Sequence, residues 1–91
     1  MKNKIKLRTV EDYTRYFDRG QYLKWESDDN GAWVVEQVEL VYPNRMVTHV
    51  FAAHDPIWVE VNQFVYNVDK SENYTGFLQV IDRKEAFIEC L

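Results

Sequence analysis

AWVVEQVELVY, residues 32–42, is the stretch whose reading decides the fold. Val34, Val38 and Val41 recur at a spacing that suits a helix face. Three other features favour a strand. The segment is rich in β-branched residues, it follows Asn30-Gly31, and it ends at Pro43-Asn44. As a strand, it becomes the centre of an antiparallel meander. QYLKWE, residues 21–26, alternates upstream of it. SDDNG, residues 27–31, supplies turn chemistry, with Asn30-Gly31 suited to the positive φ angles of a type I′ hairpin. RMVTHVFA, residues 45–52, returns as the third strand.

Further out, TVEDYTRYFDRG, residues 9–20, carries a helix pattern. Thr9 suits the N-cap and Asp12 the N3 position of a capping box. Val10, Tyr13 and Phe17 share one face, Glu11 precedes Arg15 by one turn, and Gly20 suits C′. Residues 1–8 alternate Lys2, Lys4, Lys6 and Arg8 with Asn3, Ile5 and Leu7. That period reads as a basic N-terminal arm or an edge strand with Ile5 and Leu7 inward.

Beyond the meander stands VFAAHDPIWVEV, residues 50–61, with His54 beside Asp55. The pair resembles half of a catalytic or metal site, but Asp55 followed by Pro56 is also a helix start. Ile57, Val61, Phe64, Val65 and Val68 continue an amphipathic stripe, so a second helix is expected here with Asp55 as its cap. DKSEN, residues 69–73, is a polar loop. YTGFLQVI, residues 74–81, reads as a strand, DRKE as a tight turn and AFIECL, residues 86–91, as a final strand. The expected fold is a small single α+β domain over residues 1–91. It has an antiparallel sheet, built from a three-stranded meander plus a C-terminal hairpin, with two helices packed on one face.

Composition agrees with a folded domain: 46% of the 91 residues are hydrophobic and 29% charged, with only 3 Gly and 2 Pro. A chain of this length buries roughly 60–65% of its unfolded surface, enough for one modest core. The 3 Trp, 6 Tyr and 5 Phe exceed what such a core usually needs. Charge is unevenly placed. The four basic residues of the arm have no acid among them, so the net −4 of the chain rests on an acidic body.

Several chemistries lack their residues. Cys90 is the single cysteine, so no intrachain disulfide forms. MKNKIKLR is not followed by the apolar run of a signal peptide, and no apolar run approaches the roughly 20 residues of a membrane span. A cytoplasmic location without membrane contact is the expectation. His49, His54 and Cys90 are too few and too scattered for a structural zinc site. Ser27 and Ser71 lie in polar turns, and the three glycines form no phosphate-binding loop. Neither a cofactor nor an enzymatic activity is expected. Glu36 and Glu39 have opposite parity on a strand and so face opposite sides.

What remains is a non-enzymatic protein–protein interaction protein. Small acidic, aromatic-rich chains of this kind include phage and mobile-element proteins that inhibit a host protein by occluding its surface. The expected partner is a host protein, including one that itself binds nucleic acid. Direct nucleic-acid binding is not expected of an acidic body. The expected interaction surface gathers Trp25, Glu26, Asp28, Asp29 and Trp33 around the SDDNG hairpin, with Trp58 as a further aromatic anchor. Two alternatives stand beside it: a small-ligand or nucleotide-binding module, and an acidic nucleic-acid mimic.

Overall fold

The structure, a computed structural model, describes residues 4–54 and 62–89. Six strands form one antiparallel sheet: β1 (Lys4–Lys6), β2 (Tyr22–Glu26), β3 (Trp33–Tyr42), β4 (Arg45–Ala53), β5 (Gln63–Asn67) and β6 (Phe77–Ile81). Their order across the sheet is β1-β6-β2-β3-β4-β5. The meander β2-β3-β4 is present as the turn signals predict. The radius of gyration is 12.0 Å, the value of a compact domain of this length at about 12 Å.

β3 carries two irregularities that explain its ambiguous sequence. The register with β4 shifts between Val35 and Glu36 and again between Val38 and Leu40. At the second shift Glu39 is the extra residue, so Val38 and Val41 reach the same face although they are three apart. The bulge accounts for the helix-like spacing of Val38 and Val41. At the first shift Phe51 is the extra residue on β4. It is turned outward, while Val50 takes the buried place opposite Glu36.

One face of the sheet, called inner below, holds the main core. Leu23, Val38, Met46, Tyr66 and Leu78 project from it and meet Leu7, Val10, Tyr13 and Phe17. Val10, Tyr13 and Phe17 come from the segment expected as a helix over residues 9–20, and Leu7 from the arm before it. The apolar stripe is buried as expected, but the backbone is not α-helical. It forms 3-10 helices at Leu7–Thr9 and Tyr13–Arg15. Thr9 caps no helix, and its hydroxyl donates to the Lys6 carbonyl. Asp12 takes the cap role instead, accepting from the Thr14 amide and hydroxyl. Short polar side chains that bond nearby backbone compete with helix propagation, and the segment contains neither Ala nor Leu to oppose them.

The second expected helix is also corrected. Residues 63–67 are strand β5, paired with β4 from Arg45 to His49. Phe64 and Tyr66 face inward and Val65 outward, where it is exposed. The Phe64-Val65 pair that breaks simple alternation is thus a strand with one apolar residue in solvent. Asp55, Pro56, Ile57, Trp58 and Val61, the start of that expected helix, lie outside the described residues.

The C-terminal hairpin is replaced by a helix, α1 (Arg83–Glu89). Asp82 begins it: its carboxylate accepts from the Glu85 amide at 2.7 Å and its carbonyl from the Ala86 amide at 3.1 Å. β6 pairs with β1 and β2 rather than with a strand after it. α1 packs on the outer face, where Ala86 joins Val35 and Ile81. The helical segments therefore cover opposite faces, not one. The architecture is sheet-rich, with only short helices.

Of the arm expected over residues 1–8 as an edge strand, Lys4–Lys6 form β1 at the edge of the sheet, and Leu7 and Arg8 turn into a 3-10 helix. β1 pairs with β6, Ile5 and Leu7 face the core, and Lys4 bonds Glu26 at 2.9 Å. The 3-10 helix at Leu7–Thr9 packs on another at Val68–Asn73, which follows β5. These contacts bring the two ends of the sheet together, so the sheet curls around its inner face. Gly76, just before β6, lies close against Trp25 and Glu26 of β2. A Cβ there would meet the Glu26 carbonyl oxygen and stand 2.7 Å from Trp25 Nε1, and its φ of +87° suits glycine.

Candidate functional site

The curl leaves a cavity of about 180 Å³ beside the inner core. Trp25, Phe64, Tyr66 and Tyr74 supply aromatic walls, and Leu7 and Val34 aliphatic ones. Asn73 and Thr75 line it from the segment between β5 and β6, where residues 69–73, expected as a polar loop, belong to the 3-10 helix Val68–Asn73. Among the described residues, Glu36 is the one acidic residue in the lining.

Each wall has a sequence cause. Trp25 alternates inward with Leu23 on β2, and its indole N–H donates to the Thr75 carbonyl at 2.9 Å. That bond fixes the ring against the loop. Tyr66 is the hub of the aromatic set. Its ring meets Phe64 at 4.6 Å and 63°, and Tyr74 at 6.0 Å and 89°. Such steeply tilted contacts are the favoured geometry for ring pairs. The Tyr74 hydroxyl accepts from the Asn67 amide at 3.0 Å, which holds the loop to the end of β5.

Glu36 sits between Val34 and Val38 on the inward parity of β3, with 1% of its surface exposed. Tyr66 donates its hydroxyl hydrogen to Glu36 Oε1 at 2.7 Å. Burial pushes the Glu36 carboxyl up to about 8, against the opposing pull of the Tyr66 and Thr48 hydroxyls. At neutral pH this group is mostly a carboxylic acid. Burial, and then the neighbouring Glu36, raises the Tyr66 phenol well above its ordinary value. Burial likewise raises that of Tyr13. The Tyr13 hydroxyl and Thr48 Oγ1 are buried without a well-formed hydrogen bond among the described residues. The inner face therefore carries a polar group of four side chains in a setting that disfavours charge.

Sequence reasoning placed Glu36 opposite in parity to Glu39, and the structure agrees. Glu39 is on the outside, accepting from Gln63 Nε2 at 2.8 Å and lying 3.8 Å from His49 Nδ1. The burial of Glu36 is a finding of the structure. The signal was present in the alternation Val34-Glu36-Val38, which puts an acid in a row of core positions.

The residues expected to form an interaction surface are divided between the two faces. Trp25 is turned into the inner core. Trp33 lies on the outer face, stacked on His54 at 6.0 Å, with Lys24 Nζ 5.7 Å from its ring. Glu26 is paired to Lys4. Asp28 and Asp29 are exposed at the hairpin tip, where Ser27 donates to Asp29 at 2.7 Å. The tip is not a type I′ turn, because Gly31 has positive φ and Asn30 does not. Asn30 instead accepts from the Ala32 amide. Trp58 lies outside the described residues.

His49 and His54 form no metal-binding group with other acids or cysteine among the described residues. No helix among them is long and apolar enough to cross a membrane. The outer face instead exposes Phe51, Phe87 and Ile88, with Tyr22 in ring contact with Phe51 and Phe87. No protein-family model, no curated protein sequence and no solved structure matches this chain.

Proposed function

We propose that this protein binds a small molecule in the cavity of its curled sheet. The observation that supports this reading best is Glu36, a buried carboxyl on the wall of an otherwise largely apolar cavity. Ligand sites combine an apolar lining with a few placed polar groups, and titratable groups of shifted pKa concentrate at functional sites. The size is adequate: an apolar cavity of about 150 Å³ admits a benzene ring. Trp25 and Tyr66 are held by their own hydrogen bonds, so two of the walls are formed in advance.

The test is a fragment titration of the full chain followed by amide and indole NMR resonances. Compounds of about six to ten heavy atoms suit a cavity of this size. Saturable shifts are expected at the Trp25 indole N–H and the Asn73 side-chain amide. Absence of a saturable shift at the cavity with every fragment removes the reading. That outcome leaves the occlusion of a protein partner as the better account. The exposed Phe51, Phe87 and Ile88 of the outer face favour it.

A further inference from the structure

We propose that the ligand is a small organic cation, an amine or alkylammonium group held between the aromatic walls and the Glu36 carboxylate. This inference rests on the ligand-binding reading and assigns its chemical class. Three observations on the same cavity carry it.

The first is the number of rings. Trp25, Phe64, Tyr66 and Tyr74 all contribute to one small cavity. Aromatic rings attract cations through their quadrupoles, and several rings around one site form the usual receptor for ammonium groups. The second is the sign of the polar contribution. Among the described residues, the one ionisable group of the wall besides the two phenols is an acid, and it accepts from the Tyr66 hydroxyl. An anionic ligand would meet ring electrons and a carboxyl together. The third is placement. Lys24 on β2 and His49 on β4 stand on the outer parity of their strands, away from Glu36. Among the described residues, the titratable group bonded to Glu36 is Tyr66 on β5, and Tyr13 on its 3-10 helix and Tyr74 before β6 lie in turn beside Tyr66. Each is a phenol, and Thr48 on β4 adds a neutral hydroxyl.

A charge balance follows. In the empty cavity Glu36 keeps its proton through the neutral range. An ammonium group entering beside it replaces that proton as the counter-charge. The carboxyl O–H bond breaks, the proton leaves to solvent, and an N–H of the ligand donates to the carboxylate. Uptake of a cation then releases one proton, and affinity rises with pH until Glu36 is ionised in the free protein.

Cyclohexylamine and cyclohexanol, matched in shape and differing in charge, provide the test. Both are titrated into the full chain at pH 6.5 and 8.5, by calorimetry and by the Trp25 indole resonance. The amine is expected to bind at least ~10-fold tighter than the alcohol at pH 8.5, and to weaken ~10-fold or more at pH 6.5. The alcohol is expected to change little between the two. Glu36→Gln, neutral and of the same shape, is expected to keep the alcohol and lose the preference for the amine. Saturable binding of the alcohol equal to or tighter than that of the amine overturns the cation assignment and leaves the ligand-binding reading standing. Binding of neither overturns the cation assignment, and the fragment titration then decides the ligand-binding reading. Should Glu36→Gln fail to fold, the pH dependence of the unmodified chain still decides.

Discussion

Glu36 is the residue on which the site and the stability of the core meet. A carboxyl whose folded-state pKa lies near 8, against 4.5 as the ordinary value, holds its proton more tightly folded than unfolded. Between those limits the folded chain binds more protons, so stability falls as pH rises. The slope approaches about 1.4 kcal/mol per pH unit, and above pH 8 it vanishes because both states are ionised. Urea denaturation of the unmodified chain and of Glu36→Gln, from pH 5 to 9, measures this directly. The difference between the two is expected to grow in favour of the glutamine variant up to pH 8 and then level. Parallel curves across the whole range would show that Glu36 is not buried in this way. The physical cause is desolvation: a carboxylate away from water and without a cationic partner is costly, and one tyrosine hydroxyl offsets only part of that cost.

At the scale of the element, α1 and β3 show how local chemistry and pairing divide the work. α1 has seven residues, too few to be stable alone. It is held by its cap at Asp82 and by Ala86 against Val35 and Ile81. Asp82→Ala is expected to cost about 1 kcal/mol and to speed amide exchange at Glu85 and Ala86 before the sheet responds. An unchanged urea midpoint and unchanged exchange would mean that packing alone holds the helix. The signal for α1 was legible, since Asp82 and Glu85 stand in the spacing of a helix start and Ala86 follows. The reading of DRKE as a turn and AFIECL as a strand leaves that cap out of account. In β3 the opposite holds. Its identity as a strand was readable from β-branched content and flanking turns, but its bulges were not. A bulge is set by how two strands share a face, and neither strand carries that information alone.

The whole molecule depends on the closure of the sheet ends. Leu7 leaves β1, enters the inner core and lines the cavity beside the loop after β5. The same turn packs on the 3-10 helix at Val68–Asn73, so one side chain serves the core, the closure and the site. Leu7→Ala is expected to lower stability by about 2–5 kcal/mol and to perturb the Trp25 indole resonance. Leu40→Ala is its control. Leu40 is 42% exposed on the outward side of the β3 bulge, and its loss is expected to cost no more than ~0.5 kcal/mol beyond strand propensity. Equal losses for the two leucines, measured by thermal unfolding, would contradict the closure.

The sequence by itself determined the meander, the inward row of β1 and the burial of Val10, Tyr13 and Phe17. Each follows from side-chain period and turn residues, which are local. It also excluded a disulfide within these 91 residues, because that requires a second cysteine. Tertiary structure alone decided that Phe64 and Tyr66 sit on a strand, since a short β-branched apolar run satisfies two periods until a partner strand is available. It also decided that Trp25 and Trp33 point apart and that the helical segments take opposite faces. The cavity belongs wholly to that level. It exists because the two ends of a sheet meet around Glu36, and strands distant in sequence come together only when the chain has folded.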